Sequence, residues 1–290
     1  MSVGDRSQSP ISTRLALKLG RHSWLHSLVA SLRLYPIAEV ILRVVPLSRR
    51  LRPSGLVYRV SSLDQLSSEY EMFVHESYRP ALGEEPVRTF IDLGCNAGWF
   101  ALWLTSTDPT LNRQGLLIDA HPKMVQEARW HIERNGLKNC FVVHGAVGLQ
   151  PGQVWSSFYV HPSSSASSVL PYQPGRQVLA KGRIRETVVR AVSVADEWRS
   201  LFGGAAVDLM KVDIEGKERD FVTYEAQFIQ ACVRGLVIEW HKWCTSLAEL
   251  DDLLKAIGFD RKADYDENKV AGIAVYRNAT KLFDQDLTGT

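Results

Sequence analysis

The stretch FIDLGCNAGWF, Phe90 to Phe100, constrains the fold of this chain more than any other. An apolar run enters Asp92-Leu93-Gly94-Cys95-Asn96-Ala97-Gly98, and a helical pattern then follows from Trp99 to Leu104. Gly94 and Gly98 lack a Cβ, so the chain can turn sharply and bring its backbone close to a neighbour or a ligand. Strand, glycine turn and helix are the parts from which an open α/β sheet builds a crevice at the carboxyl end of its first strand.

The spacing discriminates between ligands. A dinucleotide fingerprint needs GxGxxG, with a helix N-terminus facing pyrophosphate. Here Gly94, Asn96 and Gly98 form GxNxG, and Asp92 stands two residues ahead of the first glycine. That acid would repel phosphate and suits a ligand with an amino group, such as S-adenosylmethionine, held through Asp92 and the backbone of the turn. The competing reading is a turn in which glycine serves geometry alone. Asp119 closes the strand GLLID, Gly115 to Asp119. Rossmann-like folds hydrogen-bond the ribose hydroxyls of an adenosine from this place, against which stands a helix-cap role. A third strand, Cys140 to His144, leads into Gly145-Ala146-Val147-Gly148, where such folds seat the adenine.

Beyond it the rhythm changes. Val154 to His161 and Thr187 to Val192 read as strands of an inserted hairpin, with the serine-rich loop Ser163 to Ser168 between them, either a substrate loop or a solvated linker. Asp208 to Val212 is a fourth sheet strand, whose segment DLMKVDIEGKERD supplies Lys211, Asp213, Glu215 and Glu218. Charges this dense beside a buried strand are costly to desolvate unless they are paired or functional. The bland alternative is an ion-pair cluster with Lys211, Lys217 and Arg219. Gly235 to Glu239 is a fifth strand with His241 at its end, Leu247 to Ile257 a helix, Gly258 to Arg261 a turn and Gly272 to Tyr276 the last strand.

At 290 residues, 45% hydrophobic and 23% charged, the chain fits one sizeable α/β domain with an extension. The net charge of +2 hides an asymmetry: residues 1–56 hold nine Lys and Arg against two acids, a net of +7, which leaves −5 for the rest. The expected organisation is a basic helical extension over 1–56, a catalytic domain over 57–280 and a polar tail over 281–290. Apolar residues recur at helical intervals from Ile11 to Val45, divided at Pro36. Their basic face fits either peripheral contact with anionic lipid or a helical cap with a solvated side. An acidic catalytic part argues against nucleic acid as a partner. The four cysteines are widely spread with no CxxC pair, so neither zinc nor a disulfide framework is expected, and a reducing, cytoplasmic compartment is.

FIDLGCNAGWF, IDAHP, DLMKVDIEGKERD and VIEWH together resemble the FkbM family of S-adenosylmethionine-dependent methyltransferases, over roughly residues 57–280. The resemblance implies a Rossmann-like, seven-stranded sheet with one antiparallel strand and flanking helices. It also implies O-methylation of a hydroxyl on a small molecule, natural product or sugar. Carried over by position, Asp92, Gly94, Asn96 and Gly98 would hold the methionine part and Asp119 the ribose, with Ala120 and Ala146 beside the adenosine. The family more often has Glu-Pro where this chain has Asp119-Ala120-His121-Pro122, and a small residue where Lys217 stands.

An aliphatic hydroxyl is a poor nucleophile at neutral pH, so a base or a metal is expected. His241 is the first base candidate, Asp213 and Glu215 are alternatives, and Lys211 would orient them or the acceptor. Analogy with catechol-type methyltransferases makes a divalent ion at Asp213 and His241 a secondary option. Competing functions are an N-methyltransferase and a catalytically silent S-adenosylmethionine-binding scaffold, which would have no need of this residue set.

Overall fold

In the computed structural model, residues 35–161, 164–171, 183–266 and 271–279 are described. The chain divides into two compact units, one ending at Ser77 and the other beginning at Tyr78.

The first unit opens with helix α1 (Tyr35–Val44), followed by strands β1 (Leu47–Arg50) and β2 (Val57–Val60), which pair antiparallel. Helix α2 (Leu63–Tyr70) starts at Ser62, whose hydroxyl accepts from the Gln65 N–H. Glu69 is buried at its far end, between the Arg49 guanidinium and the Tyr58 hydroxyl, both at 2.5 Å. The sequence predicts one helix from Ser61 to Arg79; instead it widens over Glu71–His75 and stops where Glu76 turns left-handed at φ 50°. A short 3-10 turn then follows over Arg79–Ala81, with Pro80 in its first turn. Residues 47–50 lie in a strand rather than a helical extension, and the helices expected between Ile11 and Leu34 fall outside the described residues.

The second unit is built on a seven-stranded sheet. Its strands are β3 (Thr89–Leu93), β4 (Gln114–Asp119), β5 (Cys140–His144), β8 (Leu209–Val212), β9 (Gly235–His241), β10 (Phe259–Asp266) and β11 (Ala271–Asn278), in the order β10-β11-β9-β8-β3-β4-β5. β3, β4, β5, β8 and β9 run parallel, and β11 is antiparallel to both β9 and β10. β6 (Trp155–Val160) and β7 (Arg185–Arg190) form a separate antiparallel hairpin, as the sequence predicts. This is the Rossmann-like fold expected from the sequence.

Strands buried on both faces need near-continuous apolar side chains, and Ile91, Leu93, Leu116, Val212, Leu236 and Ile238 are all fully buried. Helices α3 (Trp99–Thr107), α4 (Pro122–Arg134), α5 (Val194–Phe202), α6 (Glu218–Tyr224), α7 (Ala226–Cys232) and α8 (Leu247–Ala256) complete the layers. α3 is buried from Trp99 through Thr105, which explains why its sequence shows little amphipathic contrast. Gly258 to Arg261, expected to be a turn, is a turn only at Gly258 and then enters β10. β10 pairs on one side only, so its charged side chains can face solvent, which erases the apolar signal of a strand.

Because β4 lies on one side of β3 and β8 on the other, the strand order reverses at the carboxyl end of β3. Ligands of open α/β sheets bind at such a switch point.

Candidate active site

The turn leaving β3 takes a left-handed backbone at Gly94 (φ 68°), Asn96 (φ 49°) and Gly98 (φ 79°). A Cβ on Gly94 would meet the Asp213 carbonyl oxygen at 1.7 Å, so this glycine is required by the approach of the chain leaving β8. The Gly98 N–H donates to the Cys95 carbonyl at 2.7 Å, and the Asn96 side-chain oxygen accepts from the Ala97 N–H at 2.7 Å.

Asp119, at the end of β4, reaches across to this turn. Its Oδ2 accepts from the Asn96 N–H and its Oδ1 from the His121 N–H, both at 2.7 Å. Burial pushes its carboxyl up to about 7, against the pull of those two N–H donors. The carboxylate therefore shapes the turn before any ligand arrives. His121, not Asp119, caps α4, accepting from the Lys123 N–H.

The buried charge sits one strand over. Lys211, on β8, lies 3.3 Å from both Asp92 Oδ1 and Asp213 Oδ2, donates to the Gly94 carbonyl at 3.2 Å and stands 5.6 Å from the centre of the Tyr78 ring. Burial disfavours its charge, but Asp92, Asp213 and Glu239 outweigh that and hold it protonated. Asp92 is fully buried, and burial pushes its carboxyl up while the Lys211 ammonium pulls it back.

At the end of β9, both ring nitrogens of His241 face carboxylates: Nδ1 lies 3.0 Å from Glu218 Oε1 and Nε2 3.2 Å from Glu215 Oε2. Burial opposes its charge, yet the two carboxylates raise its pKa to about 9, so the ring is an imidazolium at neutral pH. Glu218 Oε1 also accepts from the Gly216 N–H at 3.0 Å and the Ile214 N–H at 3.3 Å, tying the turn after β8 to β9. Within that turn Glu215 adopts φ 54°, an uncommon backbone for a side chain with a Cβ, and its carbonyl accepts from the Ser168 hydroxyl at 2.7 Å.

The structure thus gathers Lys211, Asp213, Glu215 and His241 at the carboxyl ends of β8 and β9, beside Asp92 and Gly94. Ala120 and Ala146 lie elsewhere, in a small apolar cluster with Phe158 and Val189 of the hairpin. The Ala146 N–H donates to the Arg190 carbonyl at 2.9 Å, tying this cluster to β7.

Glu239 belongs to this neighbourhood as well and was not singled out from the sequence. It precedes His241 by two residues on one strand, so period-two alternation puts both side chains on one face. Its Oε2 accepts from the Tyr78 hydroxyl at 3.0 Å. One ligand atom each from Asp213, Glu239 and His241 fall within 4.8 Å of one another, a donor set that could hold a divalent ion if His241 gave up its proton. As arranged, the Lys211 ammonium and the protonated ring already neutralise part of that charge. Among the described residues, Asp92, Asp213, Glu215, Glu218 and Glu239 formally outnumber Lys211 and His241 across this edge, an excess of negative charge that suits a cationic ligand.

Residues 111–265 match the model of a family described as the methyltransferase FkbM domain, which is more than half of the chain. Comparison with curated proteins finds no match. Among solved structures, a SAM-dependent methyltransferase from Aquifex aeolicus is similar at 14% identity and a TM-score of 0.41, covering 73% of this chain and 93% of that one. TYW2 from M. jannaschii, solved in complex with AdoMet, is similar at 11% identity and a TM-score of 0.41, covering 80% and 84%.

Proposed function

The chain belongs to the FkbM methyltransferase family, and from that premise we propose that it transfers a methyl group from S-adenosylmethionine to a hydroxyl of a small molecule, natural product or sugar. The observation that carries this reading is the adjacency of two half-sites at one sheet edge. The Gly94 to Gly98 turn and Asp119 form a cradle at β3 and β4, and the Asp213, Glu215 and His241 cluster closes it at β8 and β9.

Methyl transfer from a sulfonium is an in-line displacement, so alignment and exclusion of water supply much of the rate. In this reading Asp119 accepts from the ribose, using lone pairs not taken by the Asn96 and His121 N–H groups. The excess negative charge around Lys211 complements the sulfonium and ammonium of the cofactor. His241, with both nitrogens engaged, orients Glu215 rather than serving as the base assigned to it from the sequence. Asp213 and Glu215, whose side chains keep 24% and 16% of their surface, are the groups that accept the proton of the hydroxyl. Lys211 holds Asp213 in place. A divalent ion on Asp213, Glu239 and His241 is the secondary version of the site, in which the metal would lower the pKa of the bound hydroxyl. The free cysteines Cys95, Cys140, Cys232 and Cys244 support a reducing compartment such as the cytoplasm.

Calorimetric titration of S-adenosylmethionine and its demethylated product into the full chain tests the cradle, and saturable binding of both is expected. Absence of binding to folded protein would overturn the cofactor assignment. Methyl transfer to hydroxylated acceptors, compared with their amino analogues before and after chelation, then tests the acceptor and the metal. Turnover confined to amines would overturn O-methylation, and turnover indifferent to chelator would dismiss the ion.

A further inference from the structure

Helix α1 carries an apolar face that the described residues of its unit leave exposed. Ile37, Val40, Ile41 and Val44, spaced i, i+3, i+4 and i+7, are 57–75% exposed, and Val45 and Leu47 extend the patch beyond the helix end. The opposite side of α1 is what the unit holds. Leu42 is buried there, and Glu39 accepts from the Leu63 N–H at the start of α2 at 2.9 Å. A contiguous exposed apolar stripe on an otherwise anchored helix marks an interaction surface rather than a packing defect.

Its surroundings are cationic. Arg43 borders the stripe with its side chain 57% exposed, although it pairs with Glu39 at 2.9 Å; Arg50 and Arg52 are exposed just beyond it, and Arg49 is spent on buried Glu69. We propose that this face is a docking surface for anionic lipid, with α1 lying in the plane of the membrane. Ile37, Val40, Ile41 and Val44 would enter the acyl boundary, and the arginines would meet headgroup phosphates. No helix among the described residues is long and apolar enough to cross a membrane.

Charge selects this occupant over the alternatives. Residues 1–34 carry five Lys and Arg against one acid, and residues 35–56 four Arg against Glu39. Covering the stripe with the preceding segment would bring two cationic stretches together, and covering it with a second copy would oppose the same arginines. An anionic bilayer supplies both the apolar phase and the opposite charge.

Flotation of the full chain with phosphatidylcholine vesicles, with and without phosphatidylglycerol, tests the proposal beside an Ile41→Asp, Val44→Asp double variant and an Arg50→Glu, Arg52→Glu variant. The wild type should float with the anionic vesicles, less so with neutral ones, and less as salt is raised. The apolar double variant should lose about tenfold or more in vesicle affinity with an unchanged unfolding temperature, and the charge variant should lose its preference for phosphatidylglycerol. Failure of the wild type to float with anionic vesicles would overturn the proposal, as would undiminished binding by the apolar variant. A dimer that the apolar variant converts to monomer in light scattering would assign the face to a second copy. A lowered unfolding temperature in that variant would assign it to residues 1–34.

Discussion

Two neighbouring turns at the carboxyl edge of the sheet, the one after β3 and the one after β8, reach their shapes by different means. The first rests mainly on backbone: left-handed residues at 94, 96 and 98 and hydrogen bonds within the turn, with β4 anchoring it through the Ile118 carbonyl and the Asp119 carboxylate. The second is held by charge from afar. Glu218 binds two N–H groups of its own turn and the ring of His241 on β9, while Ser168, 47 residues away, holds the Glu215 carbonyl. A turn specified by glycine spacing takes its shape from residues that can adopt positive φ. A turn specified by paired charges keeps carboxylates poised only while every partner is in place, because a buried charge that loses its partner is costly.

The largest effect should come where the two turns touch. Gly94→Ala drives a Cβ into the Asp213 backbone in addition to straining φ, and should cost about 4 kcal/mol or more, or prevent folding. Gly98→Ala meets only ordinary contacts at 3.5 Å and should cost about 1–2 kcal/mol. Denaturant melts of both variants measure this, and equal losses would break the comparison. Next in size, Glu218→Ala takes one of its two carboxylates from the protonated His241 and leaves two N–H donors without their acceptor. It should cost about 3 kcal/mol and abolish turnover, even though Glu218 does not face the proposed acceptor. A variant with normal stability would show that the second turn does not depend on its charges.

The pH dependence of stability sharpens the same point. The folded pKa of His241 is raised, so its contribution is complete below the unfolded value near 6.5 and is lost as pH rises through about 9. Stability should fall by roughly 2–3 kcal/mol across that window, and His241→Gln should remove the decline. An identical decline in the variant would assign it to other groups. The smallest effect belongs to the first turn. Asp119, raised to about 7, must be ionised to accept from the ribose, so cofactor affinity should rise between pH 6 and 8 and then level off. Asp119→Asn should flatten that profile and lower affinity about tenfold, roughly 1.4 kcal/mol. Calorimetry at several pH values reads both, with an unfolding curve to confirm the fold. Affinity in Asp119→Asn equal to wild type at all pH values would take the ribose contact away from this residue.

Much of this architecture can be traced in the residues. The parallel strands are apolar runs because both their faces are buried, and Ser193 and Ser246 announce the starts of α5 and α8 by accepting N–H groups three residues on. β10 is hidden because an edge strand tolerates Asp260, Arg261 and Lys262 in water. Glu239 escaped notice because a lone acid in VIEWH carries no motif, although its two-residue offset from His241 was a usable signal.

Sequence alone determined the parts that rest on local chemistry: the glycine turn, the succession of strands and helices, and the acids and lysine that end β8. Backbone sterics and hydrophobic period act over a few residues, so they are written where they act. Tertiary structure decided the pairings: that Gly94 is demanded by Asp213, that Asp92 is spent on Lys211, and that His241 is clamped as an imidazolium between Glu215 and Glu218. The protonation state of a buried group depends on which charges the fold brings within a few ångströms of it, and that distance is set by the packing of the whole sheet.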